Sequence, residues 1–189
     1  MKSSLRSFCL IAALAVVAPI ASFATPILGG SVVVNTDGDV IATFLDGAGA
    51  SYTNNLFLDV SGVGFVFNNH TSLIGDSVNL GFFSAGTELI FRLHVNTGSS
   101  IYDLYTGPDY RNPDSIAHAI VDDAYSATAT SVAFEDVLGG GDRNFRDMVF
   151  SFTNVHGTDT PPVPEAGSSA LLLGLGLASL WLGRRRSAA

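Results

Sequence analysis

From residue 40 to residue 153 the apolar positions recur in short runs with a period of two, and nothing before residue 166 sustains a helical period. The clearest run is Glu88 to Val95, where Leu89, Phe91, Leu93 and Val95 alternate with Ile90, Arg92 and His94. Met148, Phe150 and Phe152 alternate with Val149, Ser151 and Thr153 in the same way. An extended chain sends successive side chains to opposite faces, so each first set is expected against the core. Val40–Leu45, Asn55–Val60, Val63–Phe67, Ser77–Phe82, Ile101–Tyr105, Ala117–Val121 and Thr128–Phe134 read as further strands, separated by clusters of Gly, Asn, Asp and Pro. Short strands punctuated in this way predict an all-β domain, an antiparallel β-sandwich of jelly-roll type.

Two segments break the pattern. Residues 1–24 place Lys2 and Arg6 before an apolar run from Phe8 to Ile20, then small residues at Ser22 and Ala24. That order predicts a secretory signal peptide cut by signal peptidase after Ala24. A retained N-terminal anchor is the alternative, but the run is short and contains Pro19. Residues 166–183 form an 18-residue stretch without a charge, followed at once by Arg184, Arg185 and Arg186. As a helix it would be about 27 Å long, enough to cross a hydrocarbon core. It has no polar face, which argues against a buried amphipathic helix, so a single C-terminal transmembrane helix is expected. The arginines should stay cytoplasmic and leave the preceding domain outside. The expected order is signal peptide 1–24, β-domain 25–156, Pro/Thr-rich spacer 157–165 and a sorting segment 163–189.

Composition sharpens this partition. The 189-residue chain is 47% hydrophobic yet carries a net charge of −8 with only 14% charged residues, and its mean hydropathy is +0.37. The two end segments account for much of the apolar excess and hold five of the nine basic residues. Between Thr25 and Thr160 four arginines face sixteen acids, a formal −12, and there is no lysine. Such a surface excludes a nucleic-acid partner, which needs a basic face, and repels anionic polymers unless a divalent cation intervenes. The one cysteine, Cys9, lies in the signal segment, so a mature chain would have no thiol chemistry.

Val163-Pro164-Glu165, the apolar Gly/Leu helix and the arginine cluster together resemble the PEP-CTERM sorting tail of bacterial surface proteins. Position 166 is Ala where the name-giving motif has Pro, and the run from Val163 to Ser169 is also close to the related VPDSG-type tail. The resemblance implies an exosortase-type partner, a membrane-embedded cysteine protease-transpeptidase. It also implies a Gram-negative-type envelope, often in species that make exopolysaccharide.

The densest polar constellation runs from Phe134 to Asp147, where a strand end leads into Gly139-Gly140-Gly141 and then Asp142, Asn144 and Asp147. With Glu135 and Asp136 these residues are candidate ligands for Ca2+, which takes six to eight oxygens. The same acids can instead hydrogen-bond turn amides. A strict EF-hand is excluded, because Arg146 stands at the third ligand position and no Gly follows where the loop must bend. The segment resembles the DUF4114 domain, a bacterial β-rich module of unknown function whose pattern is F-E-D-L, a Gly-rich step, then G-D-x-D-Y-N-D. Phe134, Glu135, Asp136, Gly140, Gly141, Asp142, Phe145, Asp147 and Val149 sit on it, while Asn144 replaces an Asp and Arg146 an Asn. Residues 111–119 are similar to the stretch preceding that signature, and the resemblance spans about residues 75–155.

Catalytic signatures are missing. His70, His94, His118 and His156 are scattered without zinc spacing, and neither a G-x-S-x-G elbow nor a phosphate loop occurs. Glu135 with Asp142 or Asp147 could form a glycosidase pair only at a suitable separation in space. His118 reads as a hydrogen-bonded surface or edge residue. Tyr102, Tyr105 and Tyr110 read as caps over the core, with stacking on sugar rings as the alternative. The expected protein is therefore a non-enzymatic component of the cell surface or extracellular matrix. A Ca2+-dependent adhesion or glycan-binding module, with extracellular polysaccharide as partner, and a secreted carbohydrate-active enzyme are the alternatives.

Overall fold

A computed structural model describes residues 25–60 and 63–159. The signal segment, the residues from 160 through the sorting motif, the tail helix and the terminal arginines lie outside the described residues. Among the described residues no helix is long and apolar enough to cross a membrane.

The protein is all-β. Its strands are β1 (Ile27–Leu28), β2 (Ser31–Val34), β3 (Gly38–Asp46), β4 (Thr53–Val60), β5 (Val63–Asn68), β6 (Ser77–Phe83) and β7 (Glu88–Leu89). There follow β8 (Phe91–Asn96), β9 (Ile101–Tyr105), β10 (Ala119–Asp122), β11 (Ala129–Phe134), β12 (Met148–Thr153) and β13 (Val155–Thr158). A single 3-10 turn, Asp109–Arg111, is the only helix among the described residues. Every pairing is antiparallel. The strands form a six-stranded sheet ordered β1-β10-β11-β12-β3-β6, a three-stranded sheet β13-β2-β7 and a four-stranded sheet β5-β4-β8-β9.

The inward sets anticipated by alternation are buried: Leu89, Phe91, Leu93 and Val95, and likewise Met148, Phe150 and Phe152, are each 0% exposed. They meet across the sheets. The Phe91 ring stacks on Phe152 at 4.3 Å between centroids, and Phe150 packs edge-on to Phe152 at 5.2 Å and against Phe134 at 6.0 Å. One apolar cluster runs through all three sheets, as in a sandwich whose facing layers share a core.

Three of the corners that pass the chain between sheets are very short. The run read as one strand from Glu88 to Val95 is divided at Ile90, so that β7 pairs with β2 while β8 pairs with β4 and β9. The other two corners, β2 to β3 and β12 to β13, are tied together. Asn154, held at φ +60°, donates its side-chain amide to the Thr36 carbonyl at 2.8 Å. Its Oδ1 accepts from the Thr36 backbone N–H and hydroxyl at 3.1 and 2.8 Å. Asn tolerates this left-handed geometry better than other residues bearing a Cβ.

The sequence reading passed over β1, β2 and β13. All four residues of β2 are buried, so Val32-Val33-Val34 is apolar on both faces and shows no alternation. Gly157 and Thr158, read as the start of the spacer, are instead in β13, paired with Val32 and Ser31. Gly157 must be small, because a Cβ there would stand 2.7 Å from Val121 of β10. Ala117 and His118 precede β10 rather than belonging to it.

The aromatic contact between sheets should dominate stability. Phe91→Ala is expected to cost about 3–5 kcal/mol. Phe82→Ala, at a side chain 67% exposed, should stay within about 0.5 kcal/mol. Urea unfolding of the two variants checks the difference.

Candidate functional site

The connection from β11 to β12 brings the acidic residues together. Phe134 pairs with Met148 at the sheet end, and the Asp147 N–H donates to the Phe134 carbonyl at 3.1 Å, closing the base of the loop. Reversal is achieved by left-handed backbone at Gly139, Gly140, Gly141, Arg143 and Phe145. Beyond it Asp142 Oδ1 accepts the Asn144 N–H at 3.1 Å, and Asn144 Oδ1 accepts the Arg146 N–H at 2.9 Å, two successive side-chain-capped turns. The Arg146 guanidinium reaches Asp46 Oδ2 at 2.9 Å and fastens the loop to the end of β3.

Three of the five candidate ligands converge. Glu135, Asp136 and Asp147 are 2%, 2% and 5% exposed, and each offers a carboxylate oxygen within 4.8 Å of the others. Asp142 and Asn144 remain exposed, joined by an Asn144 Nδ2 to Asp142 Oδ2 hydrogen bond of 2.8 Å. All five line one cleft of about 270 Å³, together with Gly49, Ser51, Tyr52 and Val137. Gly141 presses against Glu135, where any Cβ would collide with the carboxylate.

The surroundings hold the floor of the cleft in place. Asn54 of β4 donates from Nδ2 to Asp136 Oδ2 at 2.7 Å, Tyr102 of β9 donates its hydroxyl to the Asp136 carbonyl at 2.7 Å, and the Asp136 N–H donates to Asp147 Oδ2 at 2.9 Å. Behind it His118, 0% exposed, contacts the Glu135 carbonyl through Nδ1 at 2.9 Å and Asp114 Oδ2 through Nε2 at 3.0 Å. His118 is therefore a buried brace, not the surface or edge residue its sequence context suggested. Asp114 also accepts the Gly139 N–H at 2.7 Å. Despite partial burial, the Gly139 and His118 donors hold its carboxyl below the usual range.

The carboxylates of the cluster are shifted the other way. Burial above all, then the charge of Asp147, pushes Glu135 up against the Val137 N–H that favours its anion. Burial pushes Asp136 up to about 6, with the Asp147 charge added and the Asn54 amide opposing. Such a set can gather a hard cation or retain protons. Of the pairs considered for glycoside cleavage, Glu135 and Asp147 are both buried, whereas Asp142 is exposed.

Sequence reasoning missed Asn54, Tyr52 and Tyr102 as parts of this site. Asn54 did carry a signal. It shares the inward parity of Leu56 and Leu58 in β4 and is buried with them, a polar residue at a core position. Tyr102 is the core cap it was read to be, packed against the apolar cluster, whereas Tyr110 is 69% exposed.

Comparison with protein-family models, with curated proteins and with solved structures finds no match to this chain. The likenesses to the sorting tail and to the DUF4114 pattern therefore rest on the residues that carry them.

In metal-free protein the cluster should impose a pH slope. The Asp136 carboxyl, about 3.8 when unfolded, is pushed up to about 6 in the fold. The fold thus favours its neutral form, and the stability this confers is full below about pH 4 and lost as pH rises through 6. The loss is at most about 3 kcal/mol. Asp136→Asn should flatten the slope between pH 4 and 6, as read by thermal unfolding in a chelator.

Proposed function

We propose that this is an exported, non-enzymatic protein of the cell surface or extracellular matrix. Its signal peptide would be removed after Ala24, and its tail would be read near Val163-Pro164-Glu165 by an exosortase-type enzyme, with Arg184, Arg185 and Arg186 as the cytoplasmic stop. The observation that best supports this reading is the tripartite tail of Val163-Pro164-Glu165, an uncharged apolar stretch and three arginines. The strands from Ile27 to Thr158 share one apolar core, the single β-domain expected between the two signals. The mature domain is read as a DUF4114-like sandwich of jelly-roll type. The pairing of the first long strand, β3, with the last, β12, supports that description.

The acidic exterior suits a hydrated, anionic extracellular setting, where association with polysaccharide would run through a divalent cation rather than direct charge attraction. A cation-dependent adhesive role is the second reading, and the convergence of Glu135, Asp136 and Asp147 is what favours it. A carbohydrate-active enzyme is disfavoured by the burial of those same carboxylates.

Peptide mass spectrometry of the protein recovered outside the cell tests the sorting step. Peptides from the β-domain are expected without any covering Leu171 to Arg186. Recovery of the extracellular form with that segment attached would rule the processing out.

A further inference from the structure

Buried polar atoms in folded proteins almost always find a hydrogen-bond partner, and the exceptions call for an explanation. Glu135 is 2% exposed, yet its Oε2 has none. Asn54, wholly buried and bonded to Asp136 through its nitrogen, leaves its Oδ1 equally unpartnered. Both are oxygens with lone pairs to offer, and both belong to residues of one carboxylate cluster or its immediate support. Among the described residues no ion pair reaches Glu135, Asp136 or Asp147: Arg146 is turned to Asp46, Arg111 to Glu88 and Arg92 to Asp103, while Arg143 of the loop lies beside Gly140 without pairing to them. Negative charge is thus gathered in a buried place with no protein cation to answer it, an arrangement costly to a fold unless something positive binds.

We infer that the turn between β11 and β12 is a Ca2+ site, with the carboxylates of Glu135, Asp136 and Asp147 as its floor and Asp142 and Asn144 at its rim. Donor chemistry selects the ion. All candidate donors are oxygens, and the nearest imidazole, His118, has both nitrogens engaged with Glu135 and Asp114, which disfavours zinc or copper. The floor oxygens lie within 4.8 Å of one another, close enough to share one ion. Ca2+ takes six to eight oxygens in flexible geometry, whereas Mg2+ demands a near-ideal octahedron and keeps most of its water. The cleft leaves room for water or a ligand hydroxyl in the remaining coordination positions.

The ion's consequence follows from what its ligands are attached to. Glu135 and Asp136 directly follow β11 and Asp147 directly precedes β12, both strands of the six-stranded sheet. Asp136 is also gripped by Asn54 of β4 and Tyr102 of β9 in the four-stranded sheet. Bound Ca2+ therefore fastens the loop end of the β11–β12 hairpin and, through Asp136, joins the two sheets. This site is independent of the sorting reading: a chain that is never processed would still bind the ion.

The test uses full-length protein in detergent, stripped with EGTA, with Ca2+, Mg2+ and Tb3+ as probes. Saturating Ca2+, about one hundred times Kd, should raise the melting temperature by about 5–10 °C. Tb3+ should give tyrosine-sensitised emission, since Tyr52 lines the cleft, and Ca2+ should quench it by displacement. Glu135→Gln, which keeps the shape and removes a buried charge, should melt no lower than wild type in EGTA and lose both the Ca2+ shift and the displaceable emission. Asp142→Asn, at the exposed rim, should weaken Ca2+ binding at least several-fold while remaining folded. No Ca2+ shift in wild type overturns the proposal, as does an undiminished shift in Glu135→Gln. An equal response to Mg2+ overturns the assignment to Ca2+.

Discussion

The contact on which the rest of the architecture hangs is the stack of Phe91 on Phe152. It joins the middle of the four-stranded sheet to the middle of the six-stranded one and sets how β8 and β12 face each other. Once Phe150 and Phe152 must point inward, Met148 does so too, and its pairing with Phe134 fixes the register of β11. A one-residue slip would turn every inward side chain of either strand to water. Asp136 shares the parity of Phe134, and Asp147 immediately precedes Met148. The same register that builds the apolar core thus carries Asp136 to its rim, where it meets Asn54 rather than solvent.

That placement explains how a costly cluster is kept in shape. The loop is fastened at both sides: by Arg146 on Asp46, and by Asp114 receiving both the Gly139 N–H and His118. Gly141 holds the approach to Glu135 clear, since no side chain fits there. Each fastening lies outside the carboxylate set, so the acids are held by their neighbours instead of drifting apart into water.

Much of the strand content was legible in the chain. Strands with one apolar face, β3 to β6 and β8 to β12, announced themselves by alternation and by the turn residues between them. Those with two buried faces or very short length did not: β2 is apolar throughout, β1 has two residues, and β13 begins beyond a tight corner at Asn154. The corner at Ile90 was invisible because period two continues through it unbroken. In the site, the loop acids were readable as oxygen donors, but their sorting into a buried trio and an exposed pair was not. That division depends on which sheet end and which neighbouring strand close over the loop, and both are long-range facts. Asn54 sits far from the loop in the chain, and only an inward polar position hinted at its part.

The joining of early to late strands also governs when the domain can form. Strand β2 completes its pairing with β13, β3 with β12 and β1 with β10, and 118 positions separate Thr36 from the Asn154 that clasps it. Contacts so distant close slowly, and β2 and β3, though paired on one side with β7 and β6, keep the other edge open until β13 and β12 exist. A chain with this wiring closes only after Thr158 has been made. The last strands, β12 and β13, are the step that completes the domain.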